Sequence, residues 1–285
     1  MALKILTDST SYLSQDIKNE LDIRTVSLNL SFGNESFREM DIDNESFYKM
    51  MDEKGIPTSS QPSIGEIFQE MLRVIESGDS LCCIFLSSEM SGTYSAGILA
   101  KEMVLEKHPD AMIEIIDSRS NCMQLGFPVI LAAKAAKEGA SLDQVKDIAL
   151  ANMKKSRFLF IPHDLEYLKK GGRIGGASAL IGNFFKIIPI LTVENGKTTI
   201  LMKVRTKKNA VQSMLDIMLQ DIKEYGLGDI VVQHINCLDE AKALAKVIEE
   251  KLMIKIGIVD IGPVIGLHVG PGSIAITYYT KKARV

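Results

Sequence analysis

Apolar and polar positions along this chain fall into blocks whose period changes repeatedly. Short runs rich in β-branched and aromatic residues read as strands, and longer stretches with apolar residues every three to four positions read as helices. Leu81-Cys82-Cys83-Ile84-Phe85-Leu86 has no polar break and predicts a buried strand; Ile98 to Val104 has helical spacing. LSSEMSGTYSAG, Leu86 to Gly97, therefore holds a strand-to-helix turn. Further strands are expected at Leu3 to Leu6, Arg24 to Leu28 and Met112 to Ile116, with a hairpin turn at Gly33-Asn34. Asn44 reads as the cap of a helix reaching Glu53, and Ser63 with Glu66 as a capping box for one reaching Glu76. Between them PTSSQPS, Pro57 to Ser63, reads as a loop. Two helices follow, Cys122 to Glu138 and Leu142 to Lys155, the second opened by Ser141 with Gln144. This alternation predicts an α/β domain over residues 1–156, Rossmann-like, with a mostly parallel sheet flanked by helices.

The pattern changes after Arg157 to Ile161, another strand. LEYLKKGGRIG, Leu165 to Gly175, reads as a short helix with a glycine break, and Ala177 to Phe185 as a further helix. Ile187 to Val193 and Thr198 to Val204 flank Asn195-Gly196, a strong hairpin signal. Helices at Lys208 to Glu224 and Asp239 to Lys251 alternate with strands at Ile230 to His234, Ile256 to Ile261 and Ile274 to Tyr279. Residues 157–285 are thus expected to form a second α/β domain with a mixed, partly antiparallel six-stranded sheet. GPVIGLHVGPG, Gly262 to Gly272, reads as a rigid Gly/Pro loop carrying His268.

Composition narrows the class. With 285 residues, 46% hydrophobic and 24% charged, the chain suits a globular protein of two domains. No apolar run is long enough to span a bilayer, and MALKILTDST lacks a signal-peptide pattern. Cys82, Cys83, Cys122 and Cys237 show no C-x-x-C spacing and read as reduced core residues of a cytoplasmic protein. Lys154 to Lys208 holds twelve Lys/Arg against three Asp/Glu, a balance of +9 within a net charge of −3. That segment is either a solvated face or a docking surface for a phosphorylated ligand or an acidic partner. Without Trp or aromatic-basic interleaving, nucleic acid is not expected. His108, His163 and His234 have no metal-site spacing, and no Walker A or dinucleotide fingerprint occurs.

Candidate chemistry gathers at strand ends, where ligands sit in open α/β sheets. TDST (Thr7 to Thr10), Ser91-Gly92-Thr93 and Asp117-Ser118 each follow an expected strand. The Ser91 turn combines hydroxyls, a glycine and a helix amino terminus, all suited to an anion.

TDST, TSSQPS, SSEMSGTYSA, LEYLKKGGRIG, VRTKK and GPVIGLHVGPG together resemble, in order and spacing, the DegV family, fatty-acid-binding carrier subunits of bacterial fatty acid kinase. The resemblance spans essentially the whole chain. It implies two α/β domains with a long-chain fatty acid held between them as ligand, no further cofactor and no metal. It implies too that an ATP-dependent fatty acid kinase subunit phosphorylates the carboxyl for phospholipid synthesis. Carried over, Thr58, Ser59, Ser91, Gly92, Thr93 and His268 would bind the head group, while Arg205 and Arg173 would serve kinase docking or phosphoryl transfer. The chain departs at Leu267 and Val269, where many members have Thr on each side of the His, and at Ile188, where Lys is common. Phe158, Phe160, Leu180, Ile181, Phe184 and Phe185 are candidates for lining the acyl chain. No stable membrane insertion is expected, transient membrane contact being compatible with the lipid.

Two rival readings stand beside the carrier. One is a serine-dependent lipid hydrolase or acyltransferase with Ser91 as nucleophile and His268 as base, although the turn is S-G-T rather than G-x-S-x-G. The other is a phosphosugar- or nucleotide-binding module using the basic segment.

Overall fold

The computed structural model describes residues 1–180 and 187–284, and its chain divides into two units, Met1–Asp41 with Ser59–Met153 and Ile42–Thr58 with Lys154–Val285. The first half runs β1 (Leu3–Asp8), α1 (Gln15–Leu21), β2 (Ile23–Val26), β3 (Asn29–Phe32), β4 (Glu35–Arg38), α2 (Asn44–Lys54), β5 (Thr58–Ser60), α3 (Ile64–Glu76), β6 (Ser80–Phe85), α4 (Thr93–Lys107), β7 (Ile113–Asp117), α5 (Cys122–Lys137) and α6 (Leu142–Lys155). Strands β2, β1, β6 and β7 form a wholly parallel sheet in that order. Every residue of β6 is buried, as expected for a central strand covered on both faces. The α3 stripe Ile67, Phe68, Met71 and Val74 packs into the same core as Leu81, Cys83 and Phe85.

Local signals set most element ends. Ser63 Oγ accepts from Glu66 N at 3.0 Å, opening α3. At α6, Ser141 and Gln144 exchange reciprocal bonds, Ser141 N to Gln144 Oε1 at 2.9 Å and Gln144 N to Ser141 Oγ at 3.3 Å. Three expectations need correcting. Asp43, not Asn44, caps α2, because Asp43 is extended and its side chain accepts from Ser46 N, while Asn44 donates to the Ile261 carbonyl. Thr58–Ser60 is a strand, not a loop, the edge of a second sheet ordered β4, β3, β5; Pro57 and Pro62 bound it instead of preventing it. Residues 42–58 group with the second unit, where α2 packs against a helix near the chain's end.

The second half runs β8 (Ser156–Ile161), α7 (Glu166–Lys170), a 3₁₀ segment at Gly175–Leu180, β9 (Ile188–Glu194), β10 (Lys197–Val204), α8 (Lys207–Tyr225), β11 (Leu227–Ile235), α9 (Leu238–Leu252), β12 (Gly257–Asp260), α10 (Pro263–Val269) and β13 (Ser273–Thr280). Its six strands follow the order β10, β9, β8, β13, β11, β12, with β11 and β12 parallel and the other pairs antiparallel. The fold is α/β, a parallel sheet followed by a mixed one. The expected helix over Ala177 to Phe185 begins as the 3₁₀ segment, and residues 181–185 lie outside the described residues. The Gly/Pro stretch from Gly262 is not a rigid loop but holds α10, since Pro263 suits a helix's first position and Gly270 ends it at φ 90°.

Candidate functional site

The Leu86–Thr93 turn is held by the ends of three parallel strands. Asp8, ending β1, accepts from Leu86 N at 2.7 Å through Oδ2 and from Thr10 N at 3.0 Å through Oδ1. Ser87 N donates to the Ser120 carbonyl at 2.8 Å, and the Ser87 carbonyl accepts from Met90 N and Ser91 N. Asp117, ending β7, accepts from Ser88 N at 3.1 Å and from the Ser88 hydroxyl at 2.5 Å. TDST and Asp117-Ser118 thus brace the turn. Asp8 is wholly buried, and desolvation raises its pKa to about 6, opposed by the bonds from Thr10 and Leu86.

Ser91 Oγ lies 2.9 Å from Thr93 Oγ1 and accepts from Thr93 N at 3.3 Å. Gly92 is the N-cap of α4, whose first-turn N–H groups have no partner within the helix. Ser59, half-buried in β5, stands two residues before Gln61, whose side chain lies against the Gly92 backbone. The two hydroxyl-rich segments are therefore neighbours. Gln61 was missed by the sequence reading, because a Gln beside a proline carries no periodic signal.

In the second unit α10 holds His268, 8% exposed, with its ring against the backbone of Gly171. A side chain at Gly171 would occupy the place of that ring, which accounts for the glycine break after Lys170. Arg173 Nη1 donates to the Gly171 carbonyl at 2.7 Å. Burial, reinforced by the nearby Arg173 charge, lowers the His268 pKa to about 4, so the imidazole is neutral at pH 7. The structure thus brings Arg173 and His268 together, whereas Arg205 is separate and exposed between β10 and the Thr206 cap of α8.

An apolar cavity of about 190 Å³ opens in the second unit beside Ile161, Leu165, Ile188 and Pro189, with His163 and Lys207 at its polar side. Phe158 and Phe160 are buried on β8 with rings stacked at 4.9 Å, and Leu180 is buried as well. Ile181, Phe184 and Phe185 lie outside the described residues.

The hydrolase reading finds no support. Among the described residues Ser91 Oγ bonds with Thr93, and an imidazole with a pKa near 4 is a weak base at neutral pH. Among those residues, no three His, Cys, Asp or Glu side chains are grouped to hold a metal, and no helix is long and apolar enough to cross a membrane.

A family model described as "Uncharacterised protein, DegV family" matches residues 2–281. The chain belongs to the DegV family. A DegV domain-containing protein of Clostridium acetobutylicum is 62% identical over 282 residues, covering 99% of each chain. Among solved DegV-like structures, a stearic-acid-binding protein from Eubacterium ventriosum is 28% identical with a TM-score of 0.89, covering 98% of both chains. DegV of Bacillus subtilis, described as a fatty acid binding protein, is 30% identical with a TM-score of 0.88, covering 99% of this chain and all of that one. Fatty acid binding is thus a property of DegV proteins that share this fold along its whole length.

Proposed function

We propose that this chain is a non-catalytic carrier that binds one long-chain fatty acid and presents its carboxyl group to a separate ATP-dependent kinase subunit for acyl-phosphate formation. The observation that carries the binding step is the whole-length likeness to fatty-acid-binding DegV structures. The Ser91 turn supports it independently: hydroxyls, a glycine and a helix amino terminus converge at a strand end, as an anion requires. In this reading Thr58, Ser59, Ser91, Gly92, Thr93 and His268 serve the head group. A neutral His268 acts as a hydrogen-bonding group and not as a counter-charge.

Affinity in such a carrier comes from the tail. At about 0.8 kcal/mol per buried CH₂, a sixteen-carbon chain contributes on the order of 10 kcal/mol before ordering costs. Arg173 and Arg205 are assigned to the kinase encounter, where the basic segment meets an acidic surface or the transferred phosphoryl group. The cytoplasm is the assigned compartment: the four cysteines are unpaired thiols, and burial pushes the Cys82 thiol up to about 12.

Native mass spectrometry of the purified protein tests the reading. A non-covalent adduct with the mass of a long-chain fatty acid is expected. A protein that takes up no fatty acid even when it is supplied in excess overturns the proposal, and a covalent ester on Ser91 would restore the hydrolase.

A further inference from the structure

Gln61 occupies a position that its sequence neighbours over-determine. It follows β5 directly, Pro62 comes next, and Ser63 caps α3, so its backbone is pinned on both sides. Asn29 Nδ2 donates to the Gln61 carbonyl at 3.3 Å, tying the same peptide to β3. With the backbone held, the side chain extends over the Ser91-Gly92-Thr93 turn. A methyl group added to Gly92 would overlap Gln61 Oε1, come within 2.9 Å of Cδ and lie 3.5 Å from Nε2. Only glycine lets the carboxamide lie this close. Gln61 is exposed, and among the described residues its carboxamide makes no hydrogen bond of its own.

We infer that Gln61 is a specificity-determining residue of the head-group site, its carboxamide donating from above the Gly92 cradle to the terminal carboxylate of the ligand. The inference rests on the reading of the Ser91 turn as a carboxylate site. It adds a residue that selects among lipid head groups. The turn below supplies hydroxyls and helix-end N–H groups; the amide sets Oε1 against Gly92 and keeps Nε2 farther from it, with two N–H donors and no charge to offer a bound head group. A neutral donor suits a carrier, because an Arg or Lys there would hold the charged head more tightly and slow its release. Replacing the amide by a carboxylate sets two anions against each other, a penalty an uncharged head group does not meet.

The test compares hexadecanoic acid with hexadecanol at pH 8, each displacing a fluorescent fatty acid from the full chain. Wild type is expected to prefer the acid. Gln61→Glu should weaken the acid tenfold or more while changing the alcohol less than threefold, and Gln61→Leu should weaken the acid by roughly three- to tenfold. Gly92→Ala, which displaces the amide, should act in the same direction as Gln61→Leu. Should Gln61→Glu fail to fold by circular dichroism, Gln61→Leu and Gly92→Ala decide the matter by the acid-to-alcohol ratio. Wild type that binds hexadecanoic acid, with a ratio unchanged in every folded variant, overturns the role of Gln61 and leaves the carrier reading standing. Wild type that binds neither compound removes the carrier reading itself, and the Gln61 role with it.

Discussion

Asp8 Oδ2 and the amide of Leu86 are joined at 2.7 Å, so a single buried carboxyl group locks the end of β1 to the first residue of the Ser91 turn. The bond is made at a cost, because desolvation raises the Asp8 pKa from 3.8 to about 6. The folded state therefore favours the protonated acid, and stability falls as pH rises from about 4 to 6. At 1.36 kcal/mol per unit, the loss amounts to about 3 kcal/mol. Asp8→Asn should lack this dependence, so its stability relative to wild type should rise across that interval. Urea denaturation at intervals between pH 4 and pH 8 checks it; parallel profiles for the two proteins would refute it.

His268 titrates with the opposite sign. Its folded pKa of about 4 lies below the ordinary 6.5, so the unfolded chain takes up the proton first and stability is lost as pH falls between those values. The loss is on the order of 3 kcal/mol, and His268→Gln should not show it. At pH 7 the same variant should keep fatty-acid binding with a loss of about 1 kcal/mol, and His268→Ala should cost more. Equal binding losses from both variants would show that hydrogen bonding at this position is not what matters.

Ser91→Ala and Ser59→Ala should each weaken fatty-acid binding by roughly 1.5–3 kcal/mol, the range for a hydrogen bond to a charged group. Ser91 has a second job as partner of Thr93 N at 3.3 Å, so its variant should also lower the melting temperature slightly. Titration with a fluorescent fatty acid measures the first effect, and unchanged affinity in both variants removes the head-group assignment.

Arg205→Ala should leave fatty-acid affinity nearly unchanged and lower acyl-phosphate formation with the partner kinase, because the side chain is exposed beyond β10. Arg173→Ala should disturb both, since its charge acts on His268. Raised salt should weaken the kinase encounter more than ligand binding, exposed charges being screened within about 8 Å at physiological ionic strength. Steady-state kinetics at two salt concentrations separate these effects, and a parallel loss of binding and turnover in Arg205→Ala would place Arg205 in the pocket.

Local chemistry was legible from the sequence wherever the deciding forces act over a few residues. The unbroken apolar run of β6, the stripe of α3, the Ser141/Gln144 box and the Asn195-Gly196 turn each announce one element. In the last, φ values of 51° and 82° fit the residues best able to adopt them. Two short elements escaped this reading, the strand β5 between its flanking prolines and the helix α10. GPVIGLHVGPG looked like a loop because its glycines and prolines outweigh its helix formers; yet all seven residues of α10 are buried, and packing supplies what propensity lacks. Motif order singled out candidate residues, but not which of them meet. The meetings of Asp8 with Leu86, Gln61 with Gly92, and His268 with Gly171 and Arg173 join segments far apart in the chain. So does the grouping of residues 42–58 with the second unit, through α2 and α10. No period or cap encodes such pairings. They arise only when buried faces close on one another, and the same burial moves the pKa of Asp8 up and that of His268 down, since desolvation is a property of the folded interior and not of the residue.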